Sequence, residues 1–225
     1  MKKRIWELDA ARGLALIGMV LIHLHYDVVE LYGLWDWNPG WYQLFKNNYG
    51  AVFLLISGIS AILGSRPVKR GLLVFCCGFL CTGATVGMYL LGFAGKDIII
   101  YFGVLQCLGC CMMLWPLFRR ANSALLTIAA LAMIALGLWL RTVGFSFPWL
   151  TVLGFAPYGF ASSDYFPLFP NLGYFLLGAV LGRALYAEKK SLLPRENPPA
   201  KALQWMGRKL SLIHISEPTR PRLIS

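Results

Sequence analysis

The 225-residue chain is poor in charge, and in negative charge above all: ten aspartates and glutamates stand against 21 lysines and arginines, with only three histidines. Charged residues make up 14% and hydrophobic ones 58%, a balance that excludes an ordinary soluble domain. It is the balance of a polytopic membrane protein, because each helix that crosses lipid needs about 20 mostly apolar residues. There is no glycine-rich phosphate loop and no dinucleotide fingerprint, so no nucleotide-binding motif is present. The runs at 71–93, 98–118 and 123–140 hold no acid or base, which counts against ion or proton coupling at the midplane.

Other shortages narrow the chemistry further. The six cysteines, at 76, 77, 81, 107, 110 and 111, all lie in apolar runs, and Cys107 and Cys110, spaced like a redox or metal pair, have no second pair, histidine or carboxylate beside them. They are expected to be small buried hydrophobes, and no metal site is expected. The opening MKKR resembles the charged region of a signal peptide, but the apolar run after it continues into HLHYD without a small-residue cleavage site. The net charge of +11 is not a nucleic-acid footprint, because the cations gather in short segments between apolar runs. No nucleic-acid partner is expected.

What is present reads as an all-α, polytopic transmembrane helix bundle with the lipid bilayer as its surroundings. Six spans are expected, at 10–29, 49–64, 71–93, 98–118, 123–140 and 168–186. If they alternate, Lys2, Lys3, Arg4, Arg66, Lys69, Arg70, Arg119, Arg120 and the basic residues after 188 share one side. The other side keeps only Lys46, Lys96 and Arg141. That bias predicts a multi-pass protein of the cell membrane with its N-terminus in the cytoplasm. Gly83 with Gly87, and Gly178 with Gly182, are expected to let helices approach closely.

The stretch from Glu7 to Asp27, ELDAARGLALIGMVLIHLHYD, concentrates the polar groups of the first span at its two ends. Asp9 and Arg12, three apart, share a helix face near the inner end. His23 and Asp27, four apart, share one near the outer end, while His25 points roughly 160° away from His23. An ionisable residue in a span is costly, so a functional role is the default expectation for His23, with Asp27 orienting its ring. The first outer loop, WDWNPGW, mixes Trp35 and Trp37 with Asp36 and Asn38. It reads either as part of an interfacial aromatic belt with Trp41, Tyr42 and Trp149, or as the wall of a carbohydrate or small-molecule pocket. The long second loop, 142–170, ends in SSDYFPLFPNLG and is expected to fold back over the outer mouth of the bundle, with Asp164 as a site residue or a local cap.

Arg12-Gly13-Leu14-Ala15, preceded by Glu7-Leu8-Asp9 and followed by His23, resembles the opening of the polytopic membrane acyltransferases. FLLISGIS at 53–60, with the basic loop at Arg66, is similar to their second span. The closer resemblance is to the bacterial proteins that share the catalytic domain of heparan-alpha-glucosaminide N-acetyltransferase, over most of residues 4–209. The resemblance implies transfer of an acyl group, acetyl in the first instance, from cytosolic acyl-CoA to a sugar or other acceptor at the outer face. It maps the proposed catalytic histidine of the wider group onto His23. Arg66, Lys69, Arg70 and Arg183 are then candidates for the phosphates of the coenzyme, and Arg12 either joins them or pairs with Asp9. The alternative function is a transporter or flippase of a small polar or lipid-linked molecule.

Residues 1–209 are expected to form one membrane domain. LSLIHISEPTR at 210–220 resembles translated sequencing adapter, so 210–225 is expected to be an artefactual tail and the domain to be truncated by one span.

Overall fold

The computed structural model describes residues 5–25, 28–29, 33–37, 39–93, 95–146, 149–188, 190–192 and 201–206. Asp27, Asn38 and the tail at 210–225 lie outside them. The described residues form six α-helices: α1 (Trp6–His25), α2 (Gly40–Ala61), α3 (Pro67–Leu90), α4 (Val104–Phe118), α5 (Ser123–Leu140) and α6 (Leu168–Leu185). A further helical stretch covers 201–206. Among the described residues there is no strand, only isolated backbone bridges such as Phe102 with Tyr165. Helices α1, α3, α5 and α6 are each long and apolar enough to cross a membrane, and α4 is a shorter apolar helix. The chain is a helical, multi-pass membrane protein.

Helix boundaries follow local chemistry more than hydropathy. The Oδ1 of Asn122 accepts from the Leu125 N–H at 2.7 Å and caps α5, and Pro67 occupies the first turn of α3, where its missing N–H costs nothing. The α2 helix begins at Gly40 rather than at the expected 49, so the first outer loop is shorter than the span pattern suggested. The segment WYQLFKNN is too polar to look membrane-spanning, yet the Pro39 carbonyl accepts from the N–H groups of Tyr42 and Gln43 at 2.9 and 3.2 Å and starts the helix there. The α4 helix begins later than the expected 98 because a short 3-10 turn covers Lys96–Ile98 and the residues after it run beside 162–166. Ser163 Oγ donates to the Ile98 carbonyl at 2.6 Å, Ser162 Oγ to that of Ile99 at 2.8 Å, and the Phe166 N–H to that of Phe102 at 2.9 Å.

Backbones meet closely at particular glycines. Gly71 of α3 and Gly109 of α4 face each other so tightly that a Cβ on either would lie 2.7 Å from the carbonyl oxygen of the other. Gly178 of α6 lies against the Leu55 carbonyl of α2, and Gly182 against Ile59, as expected of a small-residue contact. Gly83 and Gly87 do not behave this way: nothing lies within 4 Å of a Cβ built at either. The buried residues of α3 are Gly71, Val74 and Gly78, so its closest packing is in the first half, while the second half meets the chain through Thr82, bonded to Gln106, and Thr85, which accepts from the Ile100 N–H. Leu54, Phe175, Leu176 and Ala179 form the fully buried seam between α2 and α6.

One end of the bundle gathers Glu7, Asp9, Arg12 and Arg183. The Glu7 carboxylate accepts from the Ser191 hydroxyl and from the Leu192 N–H, tying the start of α1 to the segment after α6. Arg183 donates to the carbonyls of Ala121 and Arg119 at 2.7 and 2.9 Å and lies over the Trp115 ring. Asp9 and Arg12, 7% and 9% exposed, form an ion pair at 3.2 Å. Removing one member of such a pair costs more than the intact pair contributes, because a charge is left buried alone. The starts of α1, α3 and α5 and the ends of α2, α4 and α6 therefore share the end that carries the basic links, as the alternation of spans requires.

Candidate functional site

At the opposite end, α1, α2, α3, the start of α4 and the 163–166 segment enclose a cavity of about 690 Å³. That volume lies in the usual range for a small-molecule site. Its walls are largely apolar, with Met19, Ile22, Phe53 and Phe166 among them, and its polar groups are His23, Lys46, Tyr49, Gln106, Ser163 and Asp164. Room for it comes from small residues. A Cβ at Gly50 would collide with the Phe166 ring at 2.0 Å, and one at Gly18 with the hydroxyl of Tyr49 at 2.2 Å. That hydroxyl donates to the Ala15 carbonyl at 2.6 Å and holds α2 against α1 beside the cavity.

His23 brings an imidazole to this cavity, and Asp164 brings a carboxylate. The Oδ2 of Asp164 accepts from the Val104 N–H at 2.9 Å, so the carboxylate sits at the N-terminus of α4, where the helix dipole favours negative charge. Gly103 permits this approach, since a Cβ there would lie 2.3 Å from the same oxygen. Asp164 is thus both a cap and a wall of the cavity. Burial pushes its carboxyl above the ordinary aspartate value of 3.8, while the Val104 N–H and the charge of His23 pull it back down.

Gln106 is the polar group that motif reasoning passed over. It is 2% exposed; its Oε1 accepts from the Gly103 N–H at 3.0 Å and its Nε2 donates to Thr82 Oγ1 at 2.8 Å. Those two bonds fix the orientation of the amide. One of the two Nε2 hydrogens is left without a partner among the described residues. A single amide inside an otherwise charge-free apolar run is the signal that could have found it.

The remaining sequence candidates are divided between other places. His25, on the far side of α1 from His23, has its Nε2 at 2.8 Å from the Trp37 carbonyl and its ring 4.0 Å from that of Tyr42. Trp35 and Trp37 stack at 6.1 Å beside Trp41, forming an exposed aromatic cluster with Asp36 that does not line the His23 cavity. Arg66 and Lys69 are exposed at the basic end, at the start of α3, and the guanidinium of Arg70 lies over Gly64. Arg183 is turned to the α4–α5 link and Arg12 to Asp9. No group of three or more histidines, cysteines or acids able to hold a metal occurs among the described residues.

The cavity therefore joins an imidazole, a carboxylate, an oriented amide and an apolar wall. No curated relative and no solved structure matches the chain. The family model described as heparan-alpha-glucosaminide N-acetyltransferase, catalytic, matches residues 4–217. With nearly its whole length matched, the chain belongs to the heparan-alpha-glucosaminide N-acetyltransferase catalytic-domain family.

Proposed function

We propose that the chain is a membrane-bound acyltransferase that moves an acetyl group from cytosolic acetyl-CoA to an amine or hydroxyl of a sugar or similar acceptor at the outer face. The observation that carries this reading is that His23 of α1 and Asp164 of the link before α6, far apart in the sequence, line one cavity. His23 takes the proton of the acceptor as its nitrogen or oxygen attacks the thioester carbonyl carbon. Asp164 stabilises the imidazolium that forms, and the spare amide hydrogen of Gln106 is the donor offered to the developing oxyanion. Collapse of the tetrahedral intermediate breaks the carbon–sulfur bond. The coenzyme leaves as a thiolate that recovers the proton from His23.

The coenzyme is a co-substrate. Its phosphates are assigned to the basic end, where Arg66 and Lys69 are exposed. Its thioester must then reach into the bundle, since Arg12 and His23 are separated by about 16 Å at 1.5 Å of rise per residue. The charge bias of the links supports an N-terminus in the cytoplasm. The aromatic cluster of Trp35, Trp37 and Trp41 is assigned to the approach of the acceptor.

Reconstituted in liposomes with acetyl-CoA and glucosamine, the chain is expected to release free coenzyme thiol at a rate that requires both substrates. Counterflow uptake of the sugar without thiol release would replace this reading with a transporter.

A further inference from the structure

A second concavity lies in the link between α5 and α6. It has a volume of about 500 Å³, and its walls include Arg141, Gly144, Tyr158, Phe160 and Tyr165. No residue lines both this pocket and the His23 cavity. The run 164–167 is a wall between them: Asp164 and Phe166 line the His23 cavity, and Tyr165 and Pro167 line the other.

Arg141 directly follows Leu140, the last residue of a helix long and apolar enough to cross a membrane. Its guanidinium makes no hydrogen bond or ion pair with any described residue. It is near enough to Tyr165 for its charge to offset part of the upward push of burial on that phenol, whose hydroxyl donates to the Thr151 carbonyl at 2.6 Å. The pocket is shaped by glycines. A Cβ at Gly144 would meet the Tyr158 ring at 2.3 Å, and Gly154 and Gly159 turn the chain at φ values of 121° and 70° that other residues rarely adopt.

The depth of this pocket in a bilayer follows from its surroundings. Trp139, Trp149 and Tyr158 are exposed around the same helix end, an aromatic belt of the kind found where chains meet lipid headgroups. A guanidinium without a partner among the described residues at that depth is placed to meet lipid phosphates, and its planar fork matches two phosphate oxygens at once.

We propose that the Arg141 pocket binds the phosphodiester of an anionic lipid headgroup, with the guanidinium on the phosphate and the aromatic walls against the glycerol. The inference stands apart from the acyltransferase reading, because it uses no residue of the His23 cavity. It also places a lipid one wall away from Asp164.

Native mass spectrometry of the full chain in detergent, titrated with phosphatidylglycerol and with phosphatidylcholine, tests this. Phosphatidylglycerol is expected to bind preferentially. Arg141→Gln is expected to weaken its tightest binding about tenfold, or about 1.4 kcal/mol, with phosphatidylcholine unaffected, and Arg141→Lys to restore part of the loss. Unchanged phosphatidylglycerol affinity in Arg141→Gln, or equal affinity of the wild type for the two lipids, overturns the proposal. So does displacement of the lipid by millimolar glycerol phosphate, which would reassign the pocket to a soluble anion. Should Arg141→Gln fail to fold, Tyr158→Ala, which removes an exposed wall, is expected to show the same selective loss, and its absence counts equally against the site.

Discussion

His23→Gln is expected to lower kcat for acceptor-dependent acetyl transfer by about 10² to 10⁴-fold, the range that general base catalysis supplies. The KM for acetyl-CoA should change little. Glutamine has the polarity to keep the cavity hydrated and can still form a hydrogen bond, but it cannot take a proton from an amine or hydroxyl near neutral pH. The loss therefore belongs to the transition state. His25→Gln is the matched control. Its ring nitrogen is engaged by the Trp37 carbonyl at 2.8 Å and its ring by Tyr42, away from the cavity, so acetyl transfer should survive. Kinetics of both variants in the same liposomes decide the matter. Full turnover by His23→Gln, or a selective loss in His25→Gln, would remove His23 from the mechanism.

Asp164→Asn is the second large effect, expected at about 10²-fold in kcat, because the charge that stabilises imidazolium disappears while the shape of the side chain stays. The amide oxygen still accepts from the Val104 N–H, so α4 keeps its cap apart from roughly 0.3–1 kcal/mol of charge–dipole attraction. Stability should respond to pH with a definite sign. The carboxyl of Asp164 is raised above 3.8 chiefly by burial, so between 3.8 and its raised value the folded chain holds a proton that the unfolded chain has released. This group's contribution is fully present below 3.8 and is lost as pH rises through the raised value. Thermal melts of the wild type should therefore show a decline as pH rises above 3.8 that is smaller in Asp164→Asn. An equal decline in both would place the titration elsewhere, and wild-type turnover in the variant would contradict the pairing with His23.

The polar ends of α1 were legible because helical spacing is a local property. Spacing alone separates His23 from His25, and in the folded chain one lines the cavity while the other is held by Trp37 and Tyr42. The Asp9–Arg12 contact was legible for the same reason. The place of Asp164 in the same cavity was not: it is brought there by the stitching of 162–166 onto 98–102, a pairing that no local pattern encodes. Asp27, the acid four residues after His23, lies outside the described residues. The same stitching shortens α4, and Pro39 extends α2 backwards into residues too polar to read as a span. Gln106 went unmarked because a lone amide matches no motif, and Gly83 and Gly87 misled because a glycine spacing does not say which half of a helix is covered.

The central claim is that acetyl-CoA and its acceptor meet in the His23 cavity. Cys81 lines that cavity, and Cys76, one and a half turns earlier on α3, is exposed without lining it. The most direct measurement is the rate of N-ethylmaleimide alkylation at each cysteine, read by peptide mass spectrometry on the reconstituted chain with and without acetyl-CoA and glucosamine. Substrates should slow labelling of Cys81 severalfold and leave Cys76 unchanged. Equal labelling of Cys81 with and without substrates, in a preparation that is turning over, would put the reaction somewhere else in the molecule.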